Sequence, residues 1–303
     1  MFNGSVTAHV LTIDFECWPQ MVTHDLTGRT NQLGGVALAR QTRRILDLLA
    51  RYDVKATFFV LGMTAEAWPE LVSDIHNAGH EIGSHGYTHG RLDRIGPGVG
   101  DDIRRGLTRS RQLLTEITGV APLGFRAPEF SIGRRNLHAL DAVADAGYRY
   151  DASIFPIRHR RYGVPGWPRR PVEVAGGRLI SVPVGTLRLD ADTPWGPASM
   201  NLPISGGGYW RALPQSLVIK SLDGLTKEDV STVLYLHPYQ LDEFDPPPIE
   251  GLRGLVRLRA ERFRRLQTVG RSRVFETLQA VLPRYQWITA ADLAGLGSQA
   301  TTP

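Results

Sequence analysis

The stretch KATFFVLGMTAEAWPELVSDIHNAGHEIGSHG (55–86) contains one complete strand–helix–strand unit. Its two ends, KATFFVLG (55–62) and HEIGSHG (80–86), are short runs of apolar and β-branched residues that predict strands. Between them, TAEAWPELVSDIHNAG (64–79) has a helical pattern, opens on a Thr that suits an N-cap and ends on Gly79. Such a unit predicts two parallel strands that are joined by a helical crossover.

The same alternation continues in both directions along the chain. Helical stripes of apolar residues mark 37–52 and 101–119. About seven βα units in a chain of 303 residues favour an α/β fold that closes like a barrel over an open doubly wound sheet. No G-x-G-x-x-G follows the first strand, which argues against dinucleotide binding. The further candidate strands are AHVLTIDF (8–15), LGFRAP (123–128), RYDASIF (149–155), RLISVPV (178–184) and TVLYLHP (232–238).

The chain reads as a single domain, 1–303. A proline-rich connection, DEFDPPPIEG, follows the last candidate strand, and helical patterns follow at 251–268 and 271–282. We therefore expect residues 251–303 to form a C-terminal helical extension that packs on the same domain.

Composition narrows the class of protein. A single cysteine, Cys17, excludes a disulfide framework and a cysteine-based zinc site. No apolar run is long enough to span a membrane, and the first residues lack a basic segment followed by an apolar one. The expected location is the cytoplasm. The net charge of +5 comes almost entirely from arginine, but no zinc-finger, RNP or basic-helix signature predicts nucleic-acid binding. Oligomeric state stays open.

Polar side chains gather at the predicted strand ends. In a barrel of parallel strands, reactive groups collect at the carboxyl ends of the strands. Carboxylates and imidazoles that face one mouth are typical of a metal-dependent hydrolase. The residues in question are Asp14, Glu16, His85, His89, Arg126 and His237, together with Asp151 near the beginning of the fifth candidate strand.

His85 and His89 stand four residues apart in HEIGSHGYTHG (80–90). In a straight strand such residues are separated by roughly 13 Å, whereas two imidazoles on one zinc ion each come within about 2.0–2.1 Å of it. A shared metal therefore requires the backbone to turn at this point. Otherwise the two histidines are unrelated.

The order of five motifs carries a resemblance to a known family. TIDFE, SHGYTH, FRAPEF, YDASIFP and LYLHP follow one another from Thr12 to Pro238. This order resembles the polysaccharide deacetylase family, also called NodB-homology proteins or carbohydrate esterase family four. RAPEFSI, SGGGYW and HPYQLD are similar to the branch found beside exosortase and exopolysaccharide systems. The resemblance implies a distorted (β/α) barrel, a divalent metal, usually zinc, and removal of acetyl groups from N-acetylhexosamine units of a polysaccharide or its lipid-linked precursor.

The resemblance also implies a metal centre. His85 and His89 match the family's two metal-binding histidines, with the chain leaving the third strand in a helical turn. The commonest family motif has adjacent aspartates, but here Phe15 follows Asp14. The third ligand would then be Glu16, and the division of roles between Asp14 and Glu16 stays open.

Further roles follow from the same match. Asp14 would be the general base, oriented by Arg126, and His237 the general acid, held by Asp151. Leu234 would wall the acetyl pocket, and a backbone N–H near Phe130 would stabilise the oxyanion.

The segment LPISGGGYWRALP (202–214) admits two interpretations. Its glycines could let the backbone approach a sugar, with Tyr209 and Trp210 as stacking faces, or it could be a loop before a helix. Trp18, Trp167 and Trp195 could likewise floor a glycan groove or belong to the core.

Two functional alternatives accompany the deacetylase hypothesis. Some relatives on this scaffold open small cyclic amides such as allantoin, and others have lost activity and could only bind glycans. Inactive relatives usually lack the base, a histidine ligand or the terminal histidine, and this sequence retains all of them.

Overall fold

The computed structural model describes residues 7–29, 34–94, 101–193 and 196–297. The strands are β1 Ala8–Phe15, β2 Thr57–Val60, β3 Glu81–Ser84, β4 Gly124–Phe125, β5 Tyr150–Asp151, β6 Val172–Val174, β7 Leu179–Ser181, β8 Thr186–Thr193, β9 Gly196–Pro203, β10 Val233–Leu236 and β11 Gln286–Ile288. The α-helices are α1 Trp18–Thr27, α2 Gly35–Arg51, α3 Gly62–Ala67, α4 Pro69–Asn77, α5 Asp101–Thr118, α6 Ala139–Asp145, α7 Gly207–Trp210, α8 Gln215–Lys227, α9 Gly254–Thr268, α10 Ser272–Val281 and α11 Ala290–Leu293. In the described residues no helix is long and apolar enough to cross a membrane.

The strands form a parallel sheet that curls towards closure. Their order is β10-β1-β2-β3-β4-β5-β7, with β6 antiparallel at the edge and β11 beside β1. Past β7, the Gly185 N–H donates to the Val233 carbonyl at 3.0 Å, and Gly206 bridges Tyr235 in parallel. The seven expected strands are all present, and the architecture is the expected distorted (β/α) barrel.

The two faces of the strands bury different sets of side chains. On β1, Leu11 and Ile13 point outwards into the main core, which lies under α2, α4, α8 and α10. Because alternate residues of a strand face opposite sides, Val10, Thr12 and Asp14 point into the barrel. The inward-facing polar residues of β1 therefore lie at the centre of the fold, where a buried polar group requires a hydrogen-bond partner.

The structure differs from the sequence expectations in three elements. The expected helix 64–79 is two helices, because Pro69 starts a new one and Trp68 before it leaves the helical region at φ −140° and ψ 63°. The hairpin β8–β9 was not expected. Within the expected helical extension, residues 286–288 form a strand that pairs with β1.

Candidate metal centre and active site

Glu16, His85 and His89 come together at the carboxyl ends of β1 and β3. Glu16 Oε2 lies 3.2 Å from His89 Nε2 and 4.0 Å from His85 Nε2. One ligand atom from each of the three residues lies within 4.8 Å of the other two, and all three side chains are buried. Two nitrogens and one oxygen thus converge on one point.

The Nδ1 atoms of the two histidines already have hydrogen-bond partners. His85 Nδ1 lies 2.9 Å from the Arg126 carbonyl oxygen, and His89 Nδ1 lies 3.0 Å from Asp25 Oδ1. Both partners are acceptors, so each Nδ1 donates and each Nε2 is left facing Glu16. This is the usual support of metal-bound histidines. Asp25 lies on α1, and nothing in the sequence pattern indicated its role.

The backbone brings the two histidines together without a helical turn. After β3 the chain passes through Gly86 at φ 80°, bends at residues 87 and 88, and reaches His89 at φ 58°. The expected helical turn is therefore wrong, although the requirement that the backbone turn is met. Left-handed conformation is unusual for a residue with a side chain, so His89 occupies a strained position.

Asp14 is paired with Arg126. Arg126 Nη1 donates to Asp14 Oδ1 at 2.8 Å and to Thr12 Oγ1 at 2.6 Å, and its Nε donates to the Ala152 carbonyl at 3.0 Å. The guanidinium is fully buried and packs over the Phe59 ring. Arg126 therefore fixes the position of Asp14.

The pKa values of the two carboxyl groups are lowered despite burial. Burial raises the pKa of Asp14, but Arg126 foremost, and then His85 and His237, outweigh it. Burial likewise raises the pKa of Glu16, and His89 foremost outweighs it. Both groups are therefore carboxylates at neutral pH.

The pKa values of the two imidazoles shift in opposite directions, although burial opposes the charged form of both. Burial lowers the pKa of His85, which leaves a neutral ring with a lone pair. Burial opposes charge on His89 as well, but Glu16 and Asp25 outweigh it and raise the pKa well above its ordinary value. Two carboxylates thus hold a positive charge at His89, where a metal ion could supply that charge instead.

His237 faces Glu16 from the end of β10. Its Nε2 lies 3.4 Å from Glu16 Oε1, and its Nδ1 lies 3.3 Å from Gln240 Oε1, which also accepts the His237 backbone N–H at 3.0 Å. Gln240 therefore orients the ring, a role that the sequence reasoning missed, although the i+3 spacing in HPYQ was a usable signal.

Asp151 does not hold His237 in this structure. Its carboxylate accepts hydrogen bonds from the Ser153 hydroxyl and backbone N–H, at 2.5 and 3.0 Å. Burial raises its pKa to about 6, although Ser153 and Arg126 oppose the rise. The expected pairing is replaced because a serine two residues on satisfies the carboxylate locally.

The pocket wall on β10 is Tyr235 and not Leu234. Leu234 shares the outer face with Leu11 and is fully buried in the core under the helices. Tyr235 faces inwards with His237, and its ring lies 4.7 Å from the Phe130 ring. The expectation for Leu234 is wrong by one residue, which in a strand reverses the face.

Phe130 lies in an aromatic cluster beside the site. The cluster consists of Phe130, Phe155, Ile157, Val184 and Tyr235, with Tyr162 and Tyr209 packed against it. The Phe130 backbone N–H already donates to the Ala127 carbonyl at 3.1 Å, so this N–H is not free for an oxyanion.

In the segment 205–210, Trp210 belongs to the core, whereas Tyr209 borders the aromatic cluster. Trp210 is fully buried, and its indole N–H donates to the Ile204 carbonyl at 2.7 Å, so the expected stacking face is wrong. Tyr209 is half-buried, and its hydroxyl lies 3.2 Å from that of Tyr162.

The glycines of that segment make room for two side chains of the β10 end. A Cβ at Gly206 would lie 2.3 Å from the Tyr235 ring, and one at Gly207 would lie 2.3 Å from Gln240 Oε1. Both are far inside contact distance.

Two of the three tryptophans that could floor a glycan groove lie in the described residues. Trp18 is buried against Tyr239, and Trp167 is half-buried and donates to the Ser181 hydroxyl at 3.2 Å. Trp195 lies outside the described residues.

The donor set fits a divalent metal ion. Glu16 Oε2 is buried without a hydrogen-bond partner and faces the two histidine Nε2 atoms. A buried carboxylate oxygen without a partner is costly, and a cation among these three atoms would remove that cost. Cys17 is the single cysteine of the chain and is no member of the set.

Two family models match the chain. The model for polysaccharide deacetylase matches residues 34–150, and a domain of unknown function (DUF3473) matches residues 152–295. The first region contains His85, His89 and Arg126, and the second contains His237.

Curated relatives match part of their own length. A peptidoglycan-N-acetylglucosamine deacetylase of Bacillus cereus is 40% identical over 87 residues, which are 29% of this chain and 30% of that protein. A chitooligosaccharide deacetylase of Bradyrhizobium is 36% identical over 104 residues, which are 34% of this chain and 46% of that protein. The chain thus spans less than half the length of these relatives.

Solved structures show the fold. A Mycobacterium smegmatis protein assigned to the polysaccharide deacetylases aligns with a TM-score of 0.59 at 21% identity, over 100% of this chain and 95% of that one. Puue allantoinase aligns with a TM-score of 0.55 at 17% identity, over 99% and 93%. The polysaccharide deacetylase model matches residues 34–150, so this part of the chain is similar to polysaccharide deacetylases with NodB homology, and the barrel is the fold of these two solved structures.

Proposed function

We propose that this protein is a metal-dependent hydrolase that removes N-acetyl groups from N-acetylhexosamine units of a polysaccharide or its lipid-linked precursor. The observation that carries the proposal is the convergence of Glu16, His85 and His89 beside the separately held Asp14–Arg126 pair. The relatives named for deacetylation of peptidoglycan and chitooligosaccharides support the substrate class.

Glu16, His85 and His89 would hold the ion. Two imidazole nitrogens and a carboxylate oxygen suit zinc and leave coordination positions open, as catalytic sites require. When bound, a divalent ion supplies Lewis-acid chemistry, polarising the acetyl carbonyl and lowering the pKa of water towards neutrality.

Asp14 would act as general base. Its lowered pKa keeps it ionised, and Arg126 leaves Oδ2 without a hydrogen bond from the guanidinium. As the water oxygen bonds to the acetyl carbon, Asp14 would take the water proton. Thr12, through its own bond to Arg126, would keep the guanidinium in place.

His237 would act as general acid. Its Nε2 faces the site while Gln240 accepts from the other side of the ring. As the carbon–nitrogen bond breaks, a proton from Nε2 would pass to the departing nitrogen. The products are acetic acid, which ionises to acetate, and the free hexosamine amine. Net transfer of the proton from Asp14 to His237 would return both residues to their starting states.

The cellular setting is part of the proposal. A cytoplasmic deacetylase would modify a repeat unit during assembly of an exopolysaccharide, before export. Active protein found only outside the membrane, or activity on mature peptidoglycan alone, would contradict this setting.

The experiment is acetate release from a panel of N-acetylated oligosaccharides, measured together with bound metal. His85→Ala should lose the metal and the activity. Asp14→Asn should keep the metal and lose about 10²–10⁴-fold in turnover, the usual contribution of a general base. Glu16→Gln should weaken metal binding.

Three outcomes would contradict the proposal. If Asp14→Asn loses the metal while Glu16→Gln retains it, the two carboxylates have exchanged roles. Hydrolysis of allantoin without acetate release would favour a cyclic-amide hydrolase. Glycan binding by the zinc-loaded protein without any acetate release would make it a binding protein.

A further inference from the structure

Helix α9 exposes a stripe of aliphatic side chains. Leu255, Leu258, Leu266 and Val269 are 73%, 66%, 58% and 72% exposed. Spacings of three and eight residues place the three leucines on one side of the helix, and Val269 directly follows its last residue, Thr268. We call these four residues, with the intervening Arg259 and Arg262, the α9 stripe. Exposed apolar side chains that gather on one face of a folded protein mark an interaction surface.

The charge around the stripe is positive. Arg257, Arg259, Arg262 and Arg265 are exposed. The one acidic residue of the helix, Glu261, is bound by Arg264 at 2.8 Å and by Arg265 at 2.9 Å. Arg259 and Arg262 make no ion pair among the described residues. The occupant must therefore present apolar and anionic groups together.

The helix lies at the mouth of the active site. Its Phe263 stacks on Trp18 at 5.1 Å, and its Ala260 packs in one cluster with Trp18 and Tyr239. Trp18 follows Glu16 by two residues, and the Tyr239 ring lies 5.2 Å from the His237 ring. The inner face of α9 is thus in contact with the elements that carry the site, while the stripe faces away from them.

We propose that the α9 stripe docks the protein on the surface of an anionic lipid bilayer. An amphipathic helix with leucines and arginines on its outer side is the usual element for this binding, because leucines enter the acyl boundary while arginines meet anionic headgroups. A second copy of the chain is disfavoured as occupant, since it would bring arginines against arginines. Docking would place the mouth of the barrel beside the membrane surface.

The consequence for the substrate rests on the proposed function. A glycan carried on a membrane lipid would reach Glu16 and His237 from the side where α9 sits. The docking surface itself stands on the exposure and charge of α9 alone, so the two proposals are tested separately.

The test is co-sedimentation of the full chain with vesicles of phosphatidylcholine, with and without about a third phosphatidylglycerol. We expect binding to the anionic vesicles that is at least ten-fold tighter than to neutral ones and that weakens with salt. Arg259→Glu/Arg262→Glu should weaken it by about 30-fold or more, since each arginine near such a surface contributes about a five-fold gain in affinity. Leu258→Ser/Leu266→Ser should also abolish sedimentation.

Matched controls lie on other helices. Arg51→Glu/Arg104→Glu makes the same change in net charge at exposed arginines of α2 and α5, and Leu217→Ser removes an exposed leucine of α8. Both should bind vesicles like the unaltered protein. Circular dichroism confirms that each variant is folded.

Several results would overturn the inference. These are equal binding to neutral and anionic vesicles, equal losses in the controls, or a dimer in light scattering that Leu258→Ser/Leu266→Ser dissociates. Acetate release from a soluble oligosaccharide should be unchanged in the α9 variants. If the protein binds vesicles but neither the unaltered protein nor any variant releases acetate, the proposed function is wrong and the docking surface is supported.

Discussion

Asp14 and Glu16 are chemically similar groups that lie two residues apart and have different partners. Asp14 faces a guanidinium at 2.8 Å, whereas Glu16 faces three imidazoles at 3.2 to 4.0 Å. A carboxylate already bonded to Arg126 is a poor candidate for an additional metal ion but a well-positioned base. The side chain of Glu16 contacts both histidines of the proposed centre, which makes the departure from adjacent aspartates compatible with one metal site.

Substitutions at Leu234 and Tyr235 should separate core from pocket. Leu234→Ala should lower the free energy of unfolding by about 2–5 kcal/mol, as for other buried leucines, and leave kcat/KM of the remaining folded enzyme unchanged. Tyr235→Ala should lower kcat/KM for acetate release, because it removes the inward wall next to His237. Urea unfolding and steady-state kinetics measure the two effects. Loss of kcat/KM in folded Leu234→Ala would show that the face assignment is wrong.

At the level of single residues, the sequence predicted which side chains meet but not always their partners. Asp14 lies near the end of β1, and His85, His89, Glu16, Arg126 and His237 follow strands, so strand ends located them. Their partners lie on α1 (Asp25), in the short turn after β10 (Gln240) and just after β5 (Ser153), and the rule of strand ends does not identify partners. Asp151 illustrates the limit, because a local serine satisfied its carboxylate.

The short helix α7 supports the active site through its glycines. Gly206 and Gly207 lie against Tyr235 and Gln240, and Trp210 anchors the other end of the helix in the core. The segment thus sets the position of the His237 loop. Its glycines make room for Tyr235 and Gln240.

Gly207→Ala should lower turnover by displacing Gln240. The new Cβ would lie 2.3 Å from Gln240 Oε1, so the amide must move away from His237. We expect turnover to fall about 10-fold or more, part of the contribution of a general acid, with bound metal unchanged. Gln240→Leu should show the same loss and a changed pH profile, whereas Gln240→Glu, which keeps an acceptor, should recover part of the activity.

Gly208→Ala is the matched control for this prediction. The nearest atom to a Cβ there is Arg211 Nη2 at 3.8 Å, an ordinary contact. Its turnover should equal that of the unaltered enzyme. Equal losses at both glycines would mean that α7 needs glycine for its backbone and not for Gln240.

Among the elements, the strands that bury both faces were predictable and the peripheral ones were not. The seven parallel strands read as continuous apolar runs because helices or the barrel interior cover them. Among the described residues the hairpin β8–β9 pairs only with itself, and its sequence, TLRLDADTPWGPASMNLP (186–203), is polar and contains prolines. The strand β11 is three residues long, too short for a pattern.

At the scale of the molecule, the site occupies one end of the barrel and buried histidines occupy the other. His9 Nδ1 accepts the Thr232 backbone N–H at 3.3 Å, and His80 Nδ1 accepts the Ala56 backbone N–H at 3.2 Å. Both rings lie near the amino ends of strands and are almost fully buried. As acceptors in the core they must be neutral, so protonation opposes the folded state.

Acid should therefore destabilise the protein through His9 and His80. Burial lowers the pKa of each to about 4 in the folded state, below the ordinary value of 6.5. The unfolded chain then binds more protons between these values, so stability is full above pH 6.5 and falls as the pH drops towards 4. Each histidine should account for a loss of about 2–3 kcal/mol between pH 7 and 4.5.

His9→Asn and His80→Asn test this pH dependence, because the asparagine oxygen can replace Nδ1 as acceptor without titrating. In each variant the smaller side chain lowers the free energy of unfolding by the same amount at both pH values, so this cost cancels when the two pH values are compared. Urea unfolding at pH 7 and 4.5 should show that each substitution reduces the loss of free energy of unfolding between these pH values. The double variant should reduce it by the sum of the two single effects. His85 and His89 are present in every variant, so their contribution cancels. An acid-induced loss that is the same in all four proteins would locate the sensitive groups elsewhere, in the metal centre itself.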